Sequence, residues 1–150
     1  MKAVELIYNI LGKKTSKQLE EEKMRILKEL ITEHKRKEAE KLDEYAKQLA
    51  SDYDVKHIVV SNVNGEMVLS TDEKAYSNAI KGSSIFEYIQ SEFPKAKMVV
   101  VKDDEGYKNI YKFKNKIYSI RADGEMSSIE LRRIAQMLEE GSKRFKEEEE

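Results

Sequence analysis

The sequence contains no cysteine, no tryptophan and one proline. The lack of cysteine excludes disulfides, thiol nucleophiles and cysteine-ligated metal or iron–sulfur sites. No apolar run approaches the roughly 20 residues that a membrane helix needs. The apolar stretch near the N-terminus is short and contains Glu5, so we do not expect a signal peptide. These absences predict a cytoplasmic protein.

The charges are numerous and nearly balanced. The 150 residues include 28 basic and 29 acidic side chains, with a formal net charge of -1. A balanced chain has no long-range field that would steer it onto nucleic acid, so no nucleic-acid partner is expected. Lys and Glu dominate, a bias seen in heat-adapted proteins. The length suits one domain with a sizeable core.

Motifs that carry chemistry are also lacking. The sequence has no Gly-rich phosphate loop and no Ser–His–Asp set, and neither His34 nor His57 has metal-ligand spacing. The acidic run at 103–105 lacks the spaced ligands of a calcium loop. Aromatics alternate with lysines over 107–114, which fits a base-binding strand or a half-buried one, and the charge balance favours the second. We therefore expect no enzyme, catalytic residue, cofactor or metal.

The N-terminal third is predicted to be helical. Apolar spacing over 3–11 predicts a short helix that ends at Gly12. Thr15 and Gln18 form a possible capping box for a second helical segment, because no Gly or Pro follows before Tyr53. Whether 15–53 is one helix or two is open at this point.

Two apolar stripes follow each other along this segment, separated by an almost fully charged stretch at 33–38. The first consists of Leu19, Met24, Leu27, Leu30 and Ile31, and the second of Ala39, Leu42, Tyr45, Ala46, Leu49 and Tyr53. The second stripe is long enough to pack on a sheet. The first is a candidate coiled-coil or partner-helix face, and we predict Leu27, Leu30 and Ile31 as interface residues.

Two strands at 57–60 and 67–69 flank Asn64-Gly65. This dipeptide is typical of a hairpin with a type I′ turn, which needs positive φ at both central residues.

The next segment is predicted to hold two helical pieces. Residues 72–80 form the first, and Gly82 breaks it. Ser84 and Glu87 then form a capping box for a second helix, which Pro94 ends. Its inward residues would be Ile85, Phe86, Ile89 and Phe93.

Three more strands at 97–101, 107–113 and 117–122 complete the sheet. Ser127 and Glu130 form another capping box, opening a last helix that Gly141 stops or weakens. The core face of that helix would carry Leu131, Ile134, Ala135 and Leu138.

The order helix, strand–Asn-Gly–strand, helix, three strands, helix resembles the Roadblock family of dynein light-chain relatives, within the profilin-like group of folds. The matching stretches are VVSNVNGEMVLST (59–71), KMVVVK (97–102), EGYKNIYKFKNKIYSIRA (105–122) and IELRRIAQMLEE (129–140). The resemblance implies an α+β fold with a five-stranded, mostly antiparallel sheet and helices on both faces, preceded by a long N-terminal helix. It divides the chain into a helical extension (1–36), a Roadblock-like domain (37–142) and a charged tail (143–150).

An alternative is a PAS sensor domain, since IKGSSIFEYI (80–89) is similar to the helical turn of that family. It would imply a small-molecule sensor and signalling module with its ligand between sheet and helix. The link between the fourth and fifth strands is very short for a PAS domain. A polar cavity between sheet and helix favours PAS, and a filled core with an apolar edge favours Roadblock.

The Roadblock resemblance implies a non-enzymatic scaffold or regulatory subunit that forms a homodimer and binds small Ras-like GTPases or motor complexes. Dimerisation in that family pairs the central helices and the third strands. The interface residues it implies are Ile85, Phe86, Tyr88, Ile89, Met98 and Val100. For Ile85, Phe86 and Ile89 a core position is the stronger interpretation, because alternation and helical periodicity give each element one buried face.

Overall fold

A computed structural model describes residues 16–72 and 75–147, apart from the side chains of 35–39 and 75–76. The predicted helix at 3–11 and the capping residue Thr15 lie outside the described residues. The elements are α1 (Ser16–Asp52), β1 (His57–Asn62), β2 (Met67–Ser70), α2 (Ala75–Glu92), β3 (Met98–Asp103), β4 (Gly106–Phe113), β5 (Lys116–Ala122) and α3 (Ser128–Glu147). None of these helices is long and apolar enough to cross a membrane. The chain divides into two compact units, Met1–Glu38 and Ala39–Glu150, which we describe separately.

The five strands form one antiparallel sheet in the order β2-β1-β5-β4-β3. The predicted pairing of the first two strands is confirmed, β3, β4 and β5 pair in succession, and β1 joins the two sets by pairing with β5. β1 and β5 lie inside the sheet, and each is hydrogen-bonded to a neighbouring strand on both sides. The edges of the sheet are therefore β2 and β3.

The larger core lies between one face of the sheet and two helices, the C-terminal part of α1 and α3. Its buried members include Ala46, Leu49, Ile58, Val60, Tyr118, Ile120, Leu131, Ile134 and Leu138. The second predicted stripe thus packs in this core, apart from Ala39, whose side chain lies outside the described residues. Each fully buried Leu or Ile contributes roughly 1.5–3 kcal/mol. The rings of Tyr111 and Tyr118 stack here at 5.5 Å, and the hydroxyl of Tyr111 donates to the carbonyl of Leu131. This side of the sheet is closed by packing.

The opposite face carries α2, which runs without interruption through Gly82 and Ser84. The predicted break at Gly82 and the capping box at Ser84 are therefore wrong. A Cβ on Gly82 would lie 2.3 Å from Ser119 Oγ on β5. Glycine is needed because the helix backbone approaches the sheet closely, and its usual role as a helix breaker does not apply.

Gly141 likewise allows a close approach, here between α3 and the ring of Tyr45, on the face of the sheet opposite α2. A Cβ there would lie 2.6 Å from Cε1 of Tyr45, and α3 continues past it to Glu147. The prediction that Gly141 stops the helix is wrong for this reason. At the other end of α3 the predicted capping box is confirmed, since the Glu130 amide donates to Ser127 Oγ at 3.1 Å. The Ser127 amide donates in return to Glu130 Oε1 at 3.4 Å.

The hairpin predicted at Asn64-Gly65 forms, but its turn is not type I′. Only Gly65 has a positive φ, of 90°, and its amide donates to the carbonyl of Asn62 at 3.0 Å. The pair of positive φ angles occurs instead at Lys114 and Asn115, at 45° and 65°, in the turn between β4 and β5. Both turns keep their strands antiparallel, so the topology is as predicted.

Candidate functional site

The first candidate site is the outer edge of β3. Along this strand, alternate residues point to opposite faces of the sheet, yet Met98, Val100 and Val101 are all exposed. Val99 alone packs inward, against the small cluster around Phe86. Because β3 ends the sheet, its outer backbone groups have no strand partner in the described part of the chain. An exposed apolar edge strand is a template for pairing with another chain.

The C-terminal end of α2 adds two exposed aromatic side chains. Tyr88 is 65% exposed and Phe93 is 64% exposed, so the prediction that Phe93 points inward is wrong. Phe93 follows the last residue of α2, beyond the turn of helix that covers the sheet. Ile85 and Ile89 are half-buried, and Phe86 is 3% exposed. Of the residues implied by resemblance, Tyr88, Met98 and Val100 therefore lie at the surface, while Phe86 belongs to the core.

The first stripe of α1 lies in the other compact unit. Leu27, Leu30 and Ile31 are all exposed. Near them, Arg25 forms exposed ion pairs with Glu22 at 2.6 Å and Glu29 at 3.0 Å. These three apolar side chains are available as a second association surface.

A second candidate site, which sequence reasoning missed, is a polar cleft between α2 and one end of the sheet. Its volume is about 580 Å³, and its lining includes His57, Asp72, Asn78, Lys108 and Arg121. The register explains the arrangement, since Arg121 on β5 lies directly opposite both His57 on β1 and Lys108 on β4. Three basic side chains thus form a row across adjacent strands.

The electrostatics of the cleft follow from this row. Asp103 Oδ1 and Oδ2 accept hydrogen bonds from Arg121 at 2.9 and 3.3 Å, and these bonds lower the pKa of Asp103. Burial lowers the pKa of Lys108, and the positive charges of Arg121 and Lys81 lower it further. On the opposite wall, Asn78 Nδ2 donates to Asp72 Oδ2.

No motif in the sequence pointed to this cleft. Its basic residues are separated by more than ten positions along the chain and come together only through strand register. The sequence analysis gave His57 no metal-ligand role, and the structure places it on the cleft wall. Within residues 16–72 and 75–147, no group of three or more His, Cys, Asp or Glu side chains could hold a metal ion.

Comparison with known proteins identifies the fold. No family model matches the chain. No curated protein matches it either. Among solved structures, the chain is similar to Myxococcus xanthus MglB, with a TM-score of 0.53 and 12% identity over 71% of this chain and 96% of that one.

Two structures of Roadblock/LC7 domains from Streptomyces avermitilis also match. One has a TM-score of 0.46 and 13% identity, covering 57% of this chain and 81% of that one. The other has a TM-score of 0.45 and 15% identity, covering 65% and 93%.

The chain has the Roadblock fold that its sequence predicts. The PAS alternative is not supported. The PAS alternative was based mainly on the apparent helix break at Gly82, but α2 is continuous at that residue. A polar cavity was expected for a PAS domain and an apolar edge for a Roadblock domain. The structure has both features in the same domain. The cleft is therefore a feature of this Roadblock fold.

Proposed function

We propose that the protein is a non-enzymatic scaffold or regulatory subunit that acts as a homodimer, joined through the outer edges of two β3 strands. The observation that carries the proposal is the apolar, exposed edge of β3. Backbone hydrogen bonds across two such edges would extend the sheet from one copy into the next. Tyr88 and Phe93, exposed on the neighbouring helix end, would add apolar area beside the joined strands.

The sequence of β3 selects one register for antiparallel self-pairing. If Val100 lies opposite Val100 of the second copy, Lys97 lies opposite Asp103 and Met98 lies opposite Lys102. An axis at Val99 would place Lys97 opposite Val101, and an axis at Val101 would place it opposite Glu105, which lies beyond the end of β3. Asp103 is partly exposed, so it can meet the lysine while it is bound to Arg121. The charges therefore favour a two-fold axis at Val100.

A cysteine substitution tests this register directly, because the natural chain has no cysteine. Val100→Cys places two thiols at the proposed axis, where facing strands keep Cα atoms within disulfide range. Val63→Cys is the matched control, since Val63 in the β1–β2 turn is 53% exposed and Val100 is 48% exposed. Under mild oxidation at low protein concentration, Val100→Cys should give a covalent dimer and Val63→Cys should remain largely uncrosslinked. Equal crosslinking of the two variants would contradict the proposal.

The partner class that we propose is a small Ras-like GTPase, as the Roadblock resemblance implies. The same resemblance supports the division into an extension (1–36), a domain (37–142) and a tail (143–150), and the compact units divide between Glu38 and Ala39. A cytoplasmic location fits such a partner. The test is binding of Ras-like GTPases from the source organism, loaded with GDP or a non-hydrolysable GTP analogue. Tighter binding to one nucleotide state supports the assignment, and no binding to either state contradicts it.

A further inference from the structure

The polar cleft has no role in the proposed scaffold. Its volume of about 580 Å³ lies within the range of roughly 300–1,000 Å³ that is typical of small-molecule sites. It combines charged side chains with hydroxyl and amide groups from Thr71, Asn78 and Ser119. The cleft is thus large and polar enough to hold a small metabolite.

The basic row in the cleft is unfavourable by itself. Like charges directly opposite each other on neighbouring strands destabilise a sheet. Lys108 and Arg121 are such a pair, and His57 continues the row on β1. Asp103 neutralises Arg121 through two hydrogen bonds, and Lys108 has no equivalent partner within the described residues. The ammonium group of Lys108 therefore has no hydrogen-bonded or ion-pair partner among the residues that the structure describes.

Two polar groups in this row, the Lys108 ammonium and His57 Nδ1, have no hydrogen-bond partner among the described residues. Lys108 is half-buried, and its ammonium group makes no hydrogen bond or ion pair with the described residues. His57 Nδ1 is buried and also has no hydrogen-bond partner among them. Buried polar groups are normally paired, because desolvation without a partner costs free energy. Both residues line the cleft, and Lys108 is only half-buried, so a ligand entering the cleft could pair its ammonium group.

The acidic residues near the cleft are engaged elsewhere or lie at its rim. Asp72 accepts a hydrogen bond from Asn78 on the wall opposite the basic row. Glu105 is mostly exposed and lies 3.9 Å from Arg121, the longest ion-pair distance of the cleft. Lys56, beside the rim, is paired with Asp123 at 2.8 Å. Neither Asp72 nor Glu105, the two acidic residues of the described lining, forms an ion pair with Lys108.

We propose that this cleft binds a small molecule through an anionic group, a phosphate or a carboxylate, held by Lys108 and Arg121. The ligand's anionic oxygens accept from the Lys108 ammonium and from donors of Arg121 that Asp103 leaves available. His57 forms part of the cleft wall beside them. The polar groups of Thr71, Asn78 and Ser119 contact the rest of the molecule. The described lining of the cleft contains no residue of β3, and the Asp103–Arg121 pair is its link to that strand.

Titration of the full chain with sodium phosphate and with sodium citrate tests the proposal, at an ionic strength held constant with sodium chloride. Binding is followed by calorimetry and by amide NMR shifts. The key variant is Lys108→Met, which keeps an apolar chain as far as the ε position and removes the ammonium group. Lys112→Met is the control, because Lys112 is on the same strand and the same face but is exposed and outside the cleft.

At least one of the two anions should bind the wild type, and Lys108→Met should lose about tenfold or more in affinity, as expected for a charge-assisted hydrogen bond. Lys112→Met should keep its affinity within about twofold. Saturation by phosphate alone identifies a phosphoryl ligand, and saturation by citrate alone identifies a carboxylate ligand. In the wild type, the amides of residues 108, 119 and 121 should shift, which tests the location without any variant.

The proposal is overturned if neither anion binds above the chloride background. It is equally overturned if both methionine variants lose the same affinity, because binding would then reflect general surface charge. Amide shifts confined to residues outside the cleft would also contradict it.

Discussion

Lys108 on β4 and Arg121 on β5 lie directly opposite each other, and both line the same cleft. Asp103 on β3 accepts hydrogen bonds from Arg121 through both of its carboxylate oxygens. This end of the sheet is polar, while the opposite face is packed with apolar side chains. The domain thus has a closed core on one side and a charged cleft on the other.

Asp103→Asn should destabilise the protein at neutral pH, since Arg121 loses its charged partner while Lys108 remains opposite it. The folded-state pKa of Asp103 is lowered, so its contribution is present above its ordinary pKa of about 3.9 and is lost as pH falls through the folded value. The difference in melting temperature between wild type and variant should therefore shrink between about pH 5 and pH 3. The exposed neighbour Asp104→Asn should show little difference at any pH. A pH-independent difference for Asp103→Asn would contradict the linkage.

Lys108→Met should stabilise the ligand-free protein at neutral pH, by on the order of 0.5 kcal/mol, because it removes a half-buried cation opposite Arg121. The pKa of Lys108 is lowered in the fold, so folding favours its neutral form. The stability of the wild type should rise towards that of the variant as pH increases through the folded pKa of Lys108. Urea unfolding at pH 7 and pH 10 measures both effects. A loss of stability at pH 7 would show that Lys108 is paired in the folded state.

Gly82→Ala should destabilise the fold by about 1–3 kcal/mol through overpacking. A Cβ at this position would lie 2.3 Å from Ser119 Oγ. In an open helix the same substitution would stabilise by up to about 1 kcal/mol, so the predicted sign is the opposite of the propensity effect. Chemical denaturation measures it.

Two further variants control the Gly82 prediction. Gly124→Ala should be nearly neutral, because a Cβ there meets no atom within 4 Å. Combining Gly82→Ala with Ser119→Ala should recover stability, since the nearest remaining Ser119 atom is Cβ at 3.6 Å. If the double variant is as unstable as Gly82→Ala alone, contact with the Ser119 hydroxyl is not the cause.

The apolar stripe of α1 offers a competing route to self-association. In the full chain, Leu27→Asp combined with Ile31→Asp removes two of its exposed apolar side chains without touching β3. If the β3 edge forms the dimer, this variant should keep the solution mass of the wild type. A change to monomer would assign dimerisation to α1 and would contradict the proposed β3 axis.

The fold was largely predictable from local patterns. The capping pair Ser127 and Glu130 and the second stripe of α1 depend on residues close in sequence, and both are as predicted. The errors at Gly82 and Gly141 have one cause. Each glycine lies where a helix approaches a side chain from a distant element, and only tertiary contact distinguishes such a glycine from a helix breaker.

The two candidate sites also differ in whether local sequence patterns could predict them. The β3 edge was accessible to sequence analysis, because an apolar run next to a predicted turn carries a local pattern. The cleft was not, because His57, Lys108 and Arg121 become neighbours only when β1, β4 and β5 pair in a particular register. Register depends on the whole sheet, and no local pattern of charge fixes it.

The most direct test of the β3-edge dimer is the solution mass of the full chain by light-scattering chromatography, for wild type, Val100→Asp and Val63→Asp. Both substitutions place one carboxylate at an exposed valine, but only Val100→Asp sets two like charges at the proposed axis. We expect a dimer for wild type and Val63→Asp, and a monomer for Val100→Asp. A monomeric wild type, or a Val100→Asp variant that remains dimeric, would contradict the account.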